Sequence, residues 1–196
     1  MIDAKIVMQL RAMTGAGMMD AKAALEESSG DLEKAAEILR KKGVAKADKK
    51  AERVTKEGKI FQYLHSNNKL AAMVELFCET DFVAKTEQFE TLGRDLAMHV
   101  AASAPLYVRR EEVPTEMVEK EKEIYRAEIA DQNKPAEIVE KIIDGKLNKF
   151  YSEICLMEQL FIKDDTKTIE TLVKEVIGVL GENMQVGRVM RMNLGE

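Results

Sequence analysis

The chain has 196 residues, 45% of them hydrophobic, which gives room for one sizeable core plus a small module, or for two small domains. Thirty basic residues stand against 35 acidic ones, a formal charge of -5, and this argues against a protein that binds nucleic acid by neutralising phosphates over its whole surface. The start, Met1-Ile2-Asp3-Ala4-Lys5, has no basic segment leading into an apolar one, and no stretch approaches the roughly 20 apolar residues of a membrane span, so no membrane association and a cytoplasmic location are expected.

Apolar side chains recur at helical spacing three times in the first forty residues. The sets are Ile2, Ile6, Val7, Leu10 and Met13; Met18, Ala21, Ala24 and Leu25; and Leu32, Ala35, Ala36, Ile38 and Leu39. They predict three helices sharing one core. Thr14-Gly15-Ala16-Gly17 ends the first, because glycine takes the positive φ that stops a helix, and Gly30-Asp31 joins a stop to an N-cap for the third. A bundle this small, residues 1–43, resembles a ubiquitin-associated domain. Residues 40–59 then carry nine basic and three acidic side chains. Residues 44–59 are expected to be a solvated, partly helical basic linker; the sharper reading of this stretch is a patch for an acidic partner surface or ribosomal RNA.

Residues 60–65 and 70–78 are β-prone and flank Ser66-Asn67-Asn68-Lys69, whose asparagines tolerate the left-handed conformations of a tight turn, so a hairpin is predicted. Helices are expected over 83–104, ended by Pro105, and over 116–130, 136–143 and 146–154. A strand is expected around 156–162, a helix over 169–180 stopping at Gly181, and a last strand in which Met184, Val186, Met190 and Met192 alternate. The expected fold class is α+β: the three-helix bundle, the basic linker, and in residues 60–196 a small antiparallel sheet packed with helices.

Little in the chain points to covalent chemistry. Cys78 and Cys155 each lie in an apolar run with neither a second thiol nor a histidine at ligand spacing, and read as buried reduced thiols. His65 closes a strand, His99 lies in an alanine-rich helix, and neither looks like a catalytic base. Glu79 and Asp81 would share one face of a strand, but nothing in the sequence pushes their pKa values apart as an acid and base pair requires. Asp164-Asp165 reads as a loop. With no nucleophile beside a base, no metal-ligand spacing and no Gly-rich phosphate loop, no enzymatic activity, cofactor or metal is expected.

Attention falls instead on Glu75-Leu76-Phe77-Cys78-Glu79-Thr80-Asp81-Phe82-Val83-Ala84-Lys85, an apolar strand that breaks at a polar pair and sets an aromatic at the start of a helix. Such a corner can present a wedge to another protein. Asp81 is the expected cap of a helix starting at Phe82, and Thr80 has the same capacity. Phe82 has two readings, folded back onto the core or displayed. Of Met18 and Met19, one is expected to face the bundle core and the other to lie free near Arg11, where a thioether suits an irregular protein surface.

The run Leu10-Arg11-Ala12-Met13-Thr14-Gly15-Ala16-Gly17-Met18-Met19-Asp20-Ala21-Lys22-Ala23-Ala24-Leu25, with Gly30-Asp31 and Leu39-Arg40-Lys41-Lys42-Gly43 behind it, resembles the N-terminal module of the bacterial elongation factor Ts family. Cys78-Glu79-Thr80-Asp81-Phe82-Val83-Ala84-Lys85 resembles that family's second signature. Further likeness appears at Ile142-Ile143-Asp144-Gly145-Lys146-Leu147, Glu158-Gln159 and Gly181-Glu182-Asn183, so the resemblance spans nearly the whole chain, in a short form with one copy of the core. The chain departs from the family at Phe77, where asparagine is usual, at Ala71-Ala72, where a glycine is common, and at Gly187, where a second arginine often precedes Arg188. None of these touches residues 80–83.

The resemblance implies a guanine-nucleotide exchange factor for elongation factor Tu, the GTPase that delivers aminoacyl-tRNA to the ribosome. It implies that Thr80, Asp81, Phe82 and Val83 displace the partner's magnesium and disturb its phosphate site, with Phe82 displayed, and that Arg11, Met18 and Met19 lie where the N-terminal module docks on the GTPase domain. With a single core copy, the chain is expected to pair with itself as a homodimer and to meet the ribosome only indirectly, with no direct nucleic-acid contact. The alternative is a ubiquitin-associated-type adaptor without exchange activity; a further one is an RNA-binding protein using residues 40–59.

Overall fold

A computed structural model gives the fold of residues 2–130 and 135–196; Met1, the first residue of the expected bundle, lies outside the described residues. Helix α1 (Ala4–Thr14) starts at Asp3, whose carboxylate accepts a hydrogen bond from Lys5 N, and stops at Gly15 with φ 69°. Helix α2 (Met18–Glu27) follows, and α3 (Leu32–Asp48) is capped by Asp31, which accepts from Glu33 N and Lys34 N. Val7, Leu10, Ala21, Ala24, Leu25 and Ala35 form the buried centre of the bundle, ringed by Ile2, Ile6, Leu32, Ala36, Ile38 and Leu39. The linker expected from residue 44 begins later, because Val44-Ala45-Lys46-Ala47 continues α3 and buries Ala47.

Strand β1 (Glu57–Leu64) and strand β2 (Leu70–Cys78) form the expected hairpin, with Asn68 at φ 56° in its turn. The single helix expected over 83–104 is two, α4 (Asp81–Ala84) and α5 (Glu87–Ser103). Thr86 separates them: its hydroxyl donates to Val83 O at the end of α4, and its Oγ1 accepts from Phe89 N in the first turn of α5.

Helices α6 (Thr115–Ile129) and α7 (Ala136–Ile154) pack around Ile129, Ile143 and Leu147. Helix α7 is continuous where two helices were expected, since the glycine at 145 weakens a helix by only about 1 kcal/mol. The strand expected around 156–162 shrinks to β3 (Leu160–Phe161), after a tight helical turn over Leu156–Glu158. It pairs antiparallel with β4 (Asp164–Thr168), so Asp164-Asp165 opens a strand rather than forming the expected loop. Helix α8 (Ile169–Leu180) ends at Gly181, φ 81°, and β5 (Met184–Asn193) closes the chain.

The main sheet has the order β1-β2-β5. Asn183, ahead of β5, donates to Glu79, beyond the end of β2, and Leu194, beyond β5, donates to Lys69 O ahead of β2, so these two strands run antiparallel. The fold is α+β, as expected. The chain divides into two compact units, one of residues 1–60, 75–94 and 171–186, the other of residues 61–74, 95–170 and 187–196. This differs from an expected boundary at 44–59: within the first unit α8 is tied to α3 by Arg40 and Glu175 at 2.5 Å and by Lys174 and Asp48 at 2.8 Å.

In the second unit His99 is fully buried, its Nδ1 accepting from Ile162 N at 3.4 Å and its Nε2 then donating to Gln159 Oε1 at 3.0 Å. Burial holds its pKa below the ordinary 6.5, outweighing the hydrogen bond to Gln159. The unfolded chain therefore takes up a proton at a pH where the folded one resists it. Stability from this group is complete above about pH 6.5 and declines as pH falls below that. The unfolding temperature should drop from about pH 7 to pH 5, and a scan of His99→Gln should show a shallower drop; equal slopes would exclude His99 as the cause.

Candidate partner-binding site

The corner is built from the end of β2 inward. Cys78 is fully buried and its thiol donates to Thr80 O at 3.1 Å. Burial, aided by the nearby Glu182 carboxylate, pushes that thiol up to about 11, so it stays neutral and can donate. Thr80 is extended, at φ -129° and ψ 156°, and its Oγ1 accepts from Val83 N, making it the N-cap of α4. The expected cap, Asp81, is instead the first helical residue. Its carboxylate accepts from Lys85 Nζ at 2.6 Å, one turn on, and this hydrogen bond holds its pKa below the usual carboxylate value.

A helix of four residues has one inner face, and α4 fills it with Val83 and Ala84, both buried. Phe82 therefore points outward and is 78% exposed, with Lys85 Nζ 6.0 Å from its ring centroid. Of the two readings left open for this ring, the structure takes display. A bare aromatic and an adjoining carboxylate thus stand together at the surface.

Behind the corner, the turn between α8 and β5 supplies the supports. Glu182 accepts from Thr80 N at 3.0 Å and from Thr80 Oγ1 at 2.7 Å. Asn183 N donates to Glu79 Oε1 at 2.6 Å, while its side-chain amide donates to Ala51 O and Arg53 O at 3.2 and 2.7 Å. Arg53 Nη1 lies 3.6 Å from Glu79 Oε1. In the sequence Gly181-Glu182-Asn183 is marked only by its family likeness, since contacts more than 100 residues apart leave no local periodicity to find.

The other set of candidate residues lies on the bundle. Arg11 on α1 donates from Nε to Ala16 O at 3.1 Å, which fixes it beside the turn that leads to Met18 and Met19. Both methionines are exposed, at 46% and 74%, so neither fills the core as one was expected to. The buried stripe of α2 starts only at Ala21 and continues through Ala24 and Leu25, leaving the first turn free. Met8 and Met13 of α1 are exposed as well, giving the bundle an adaptable thioether surface.

Among the described residues no three histidine, cysteine, aspartate or glutamate side chains gather as a metal site would require, and no helix is long and apolar enough to cross a membrane. The family model described as Elongation factor TS matches residues 10–196. Over 196 residues the chain is 57% identical to the Elongation factor Ts of Thermosipho melanesiensis, covering all of both chains. It is 58% identical over 195 residues to that of Maridesulfovibrio salexigens, covering 95% of the relative, and 56% identical over 195 residues to that of Thermotoga maritima, covering 97%.

Proposed function

The chain belongs to the elongation factor Ts family, and from that premise we propose that this translation elongation factor is a guanine-nucleotide exchange factor, acting on elongation factor Tu bound to GDP. The corner of Thr80, Asp81, Phe82 and Val83 enters beside the partner's magnesium and phosphate site, loosens the contacts that hold GDP, and lets GTP replace it. Arg11, Met18 and Met19 dock the N-terminal module on the GTPase domain. The observation that carries this reading is the exposure of Phe82, the highest of any large apolar side chain among the described residues, at the head of a helix held by its neighbours.

No bond is made or broken by this chain in such a process. A factor that binds the nucleotide-free GTPase better than its GDP form must, by linkage, weaken GDP by the same ratio. Release of a fluorescent GDP from elongation factor Tu is therefore expected to accelerate when a small fraction of this protein is added, and an unchanged rate rejects the proposal. An adaptor without exchange activity would also be captured by its partner, but capture would persist when GDP and magnesium are added.

In this reading the chain pairs with a second copy of itself. Leu64, Met73, Met190 and Met192 are all exposed on the strands of the sheet in the second unit, apolar surface that a second copy covers. Light scattering at micromolar concentration should give twice the chain mass, and Met190→Glu with Met192→Glu should halve it. A parent protein that runs as a monomer ends this part of the proposal.

A further inference from the structure

Thr80 is the pivot on which the corner turns, and each of its polar atoms is engaged. Its carbonyl accepts from Ala84 N at 3.3 Å and from the Cys78 thiol at 3.1 Å. Its N–H and its hydroxyl both donate to Glu182, one to each carboxylate oxygen. A hydroxyl has one proton, so donating it to Glu182 turns the oxygen lone pairs toward Val83 N, the bond that caps α4. Glu182 thus decides the direction in which the cap works. Charge-assisted hydrogen bonds of this kind are short and roughly twice as strong as neutral ones.

A second rung lies one residue away and runs in the opposite sense. Glu79, just before Thr80, accepts from the backbone N–H of Asn183, just after Glu182. Each chain segment lends a carboxylate to the backbone of the other. Asn183 is only 2% exposed, and its amide is spent on two carbonyls of the segment after α3, so the turn bearing Glu182 is itself fixed.

Four residues are too few for a helix to hold its own shape, and a ring that is 78% exposed gains no position from its own core. The direction in which Phe82 points follows the backbone of residues 80–83, which Val83 and Ala84 seat on the core and Thr80 ties at its start. We propose that Glu182 is a positioning residue for nucleotide exchange: by gripping Thr80 at two atoms it holds the Asp81-Phe82 corner in the pose that enters the partner, with Glu79 and Asn183 as its second support. Holding the pose in advance removes an ordering cost from the step in which GDP is loosened. The inference rests on the reading of this corner as the element that acts on GDP.

The test is the concentration dependence of GDP release from elongation factor Tu, which separates the limiting rate from the half-saturating concentration. Glu182→Ala should lower the limiting rate about tenfold and leave half-saturation within about twofold, since the bundle surface that docks is untouched. Thr80→Val should fall by a similar factor, and the double variant should be no slower than either single one, because both remove the same contact. Glu182→Gln keeps the volume and one acceptor, for Thr80 N, but sets an amide donor against the Thr80 hydroxyl, and should recover only part of the rate. A residue of merely structural importance would lower the unfolding temperature and leave the limiting rate of the folded protein intact. If Glu182→Ala and Thr80→Val keep the parent's limiting rate while Phe82→Ala loses it, the inference is wrong and the reading of the corner stands. If Phe82→Ala also keeps it, both are wrong. Should Glu182→Ala not fold, Thr80→Val decides the matter by the same criterion.

Discussion

Phe82→Ala is expected to slow GDP release from the partner by up to about a hundredfold, the upper end of the usual 1 to 3 kcal/mol of coupling between sites, with no measurable change in the factor's own unfolding temperature. The second half follows from burial. A ring that is 78% exposed contributes little to its own fold, and surface changes of this kind stay within about 0.5 kcal/mol. The first half follows from what the ring does when it docks. Burying a phenylalanine side chain on a partner is worth about 1.5 to 3 kcal/mol, and if that burial is available only in the nucleotide-loosened form, all of it appears as weakened GDP. Phe82→Leu, which keeps part of the apolar area, should fall between the two. Asp81→Asn should cost less, because in the free protein that carboxylate is already held by Lys85 at 2.6 Å. Stopped-flow release of a fluorescent GDP measures the rate, and a Phe82→Ala rate equal to the parent's removes the wedge from the mechanism.

What could be read in the sequence follows from how local each cause is. The bundle was legible because Val7, Leu10, Ala21, Ala24, Leu25 and Ala35 sit at helical spacing and because Gly15 and Asp31 carry their end signals in their own side chains or lack of one. The hairpin and α8 with its stop at Gly181 were legible for the same reason. The break at Thr86 was not, since threonine inside a helical pattern is common and only its two simultaneous hydrogen bonds make it a boundary. Strand β4 is polar from end to end and is a strand only because β3 lies beside it. At the site, residues 80–83 were legible as a corner, while the choice of Thr80 over Asp81 as cap depends on Glu182, which approaches from 102 residues away. That both Met18 and Met19 are exposed, rather than one of them, was not legible, because periodicity marks which side of a helix faces inward but not where along the helix the neighbouring elements end.

The largest effect on the fold is expected at Gly58, which composition had assigned to the linker and which in fact lies in β1. Its φ is 152°, a conformation that side chains oppose, and a Cβ placed there would stand 2.3 Å from Leu76 O and 2.9 Å from Phe77 Cα. Those are backbone atoms of β2, so no flexible side chain can yield. Gly58→Ala must therefore either strain its own backbone or push β1 away from β2, losing ladder hydrogen bonds at about 1 kcal/mol each on top of about 1 to 3 kcal/mol of strain. A stability loss of about 3 kcal/mol is expected from denaturant unfolding, and a loss below about 1 kcal/mol would show that the two strands are free to part here. The place of the injury matters as much as its size. Leu76 and Phe77 lead directly into Cys78, Glu79 and Thr80, so a displaced β2 shifts the base on which the corner is set. Exchange by the folded Gly58→Ala protein should fall as well, in contrast to Phe82→Ala, where exchange is lost and stability is kept. A Gly58→Ala protein that is destabilised yet exchanges at the parent's limiting rate would mean that Glu182 and Asn183 hold the corner without help from the strand that precedes it.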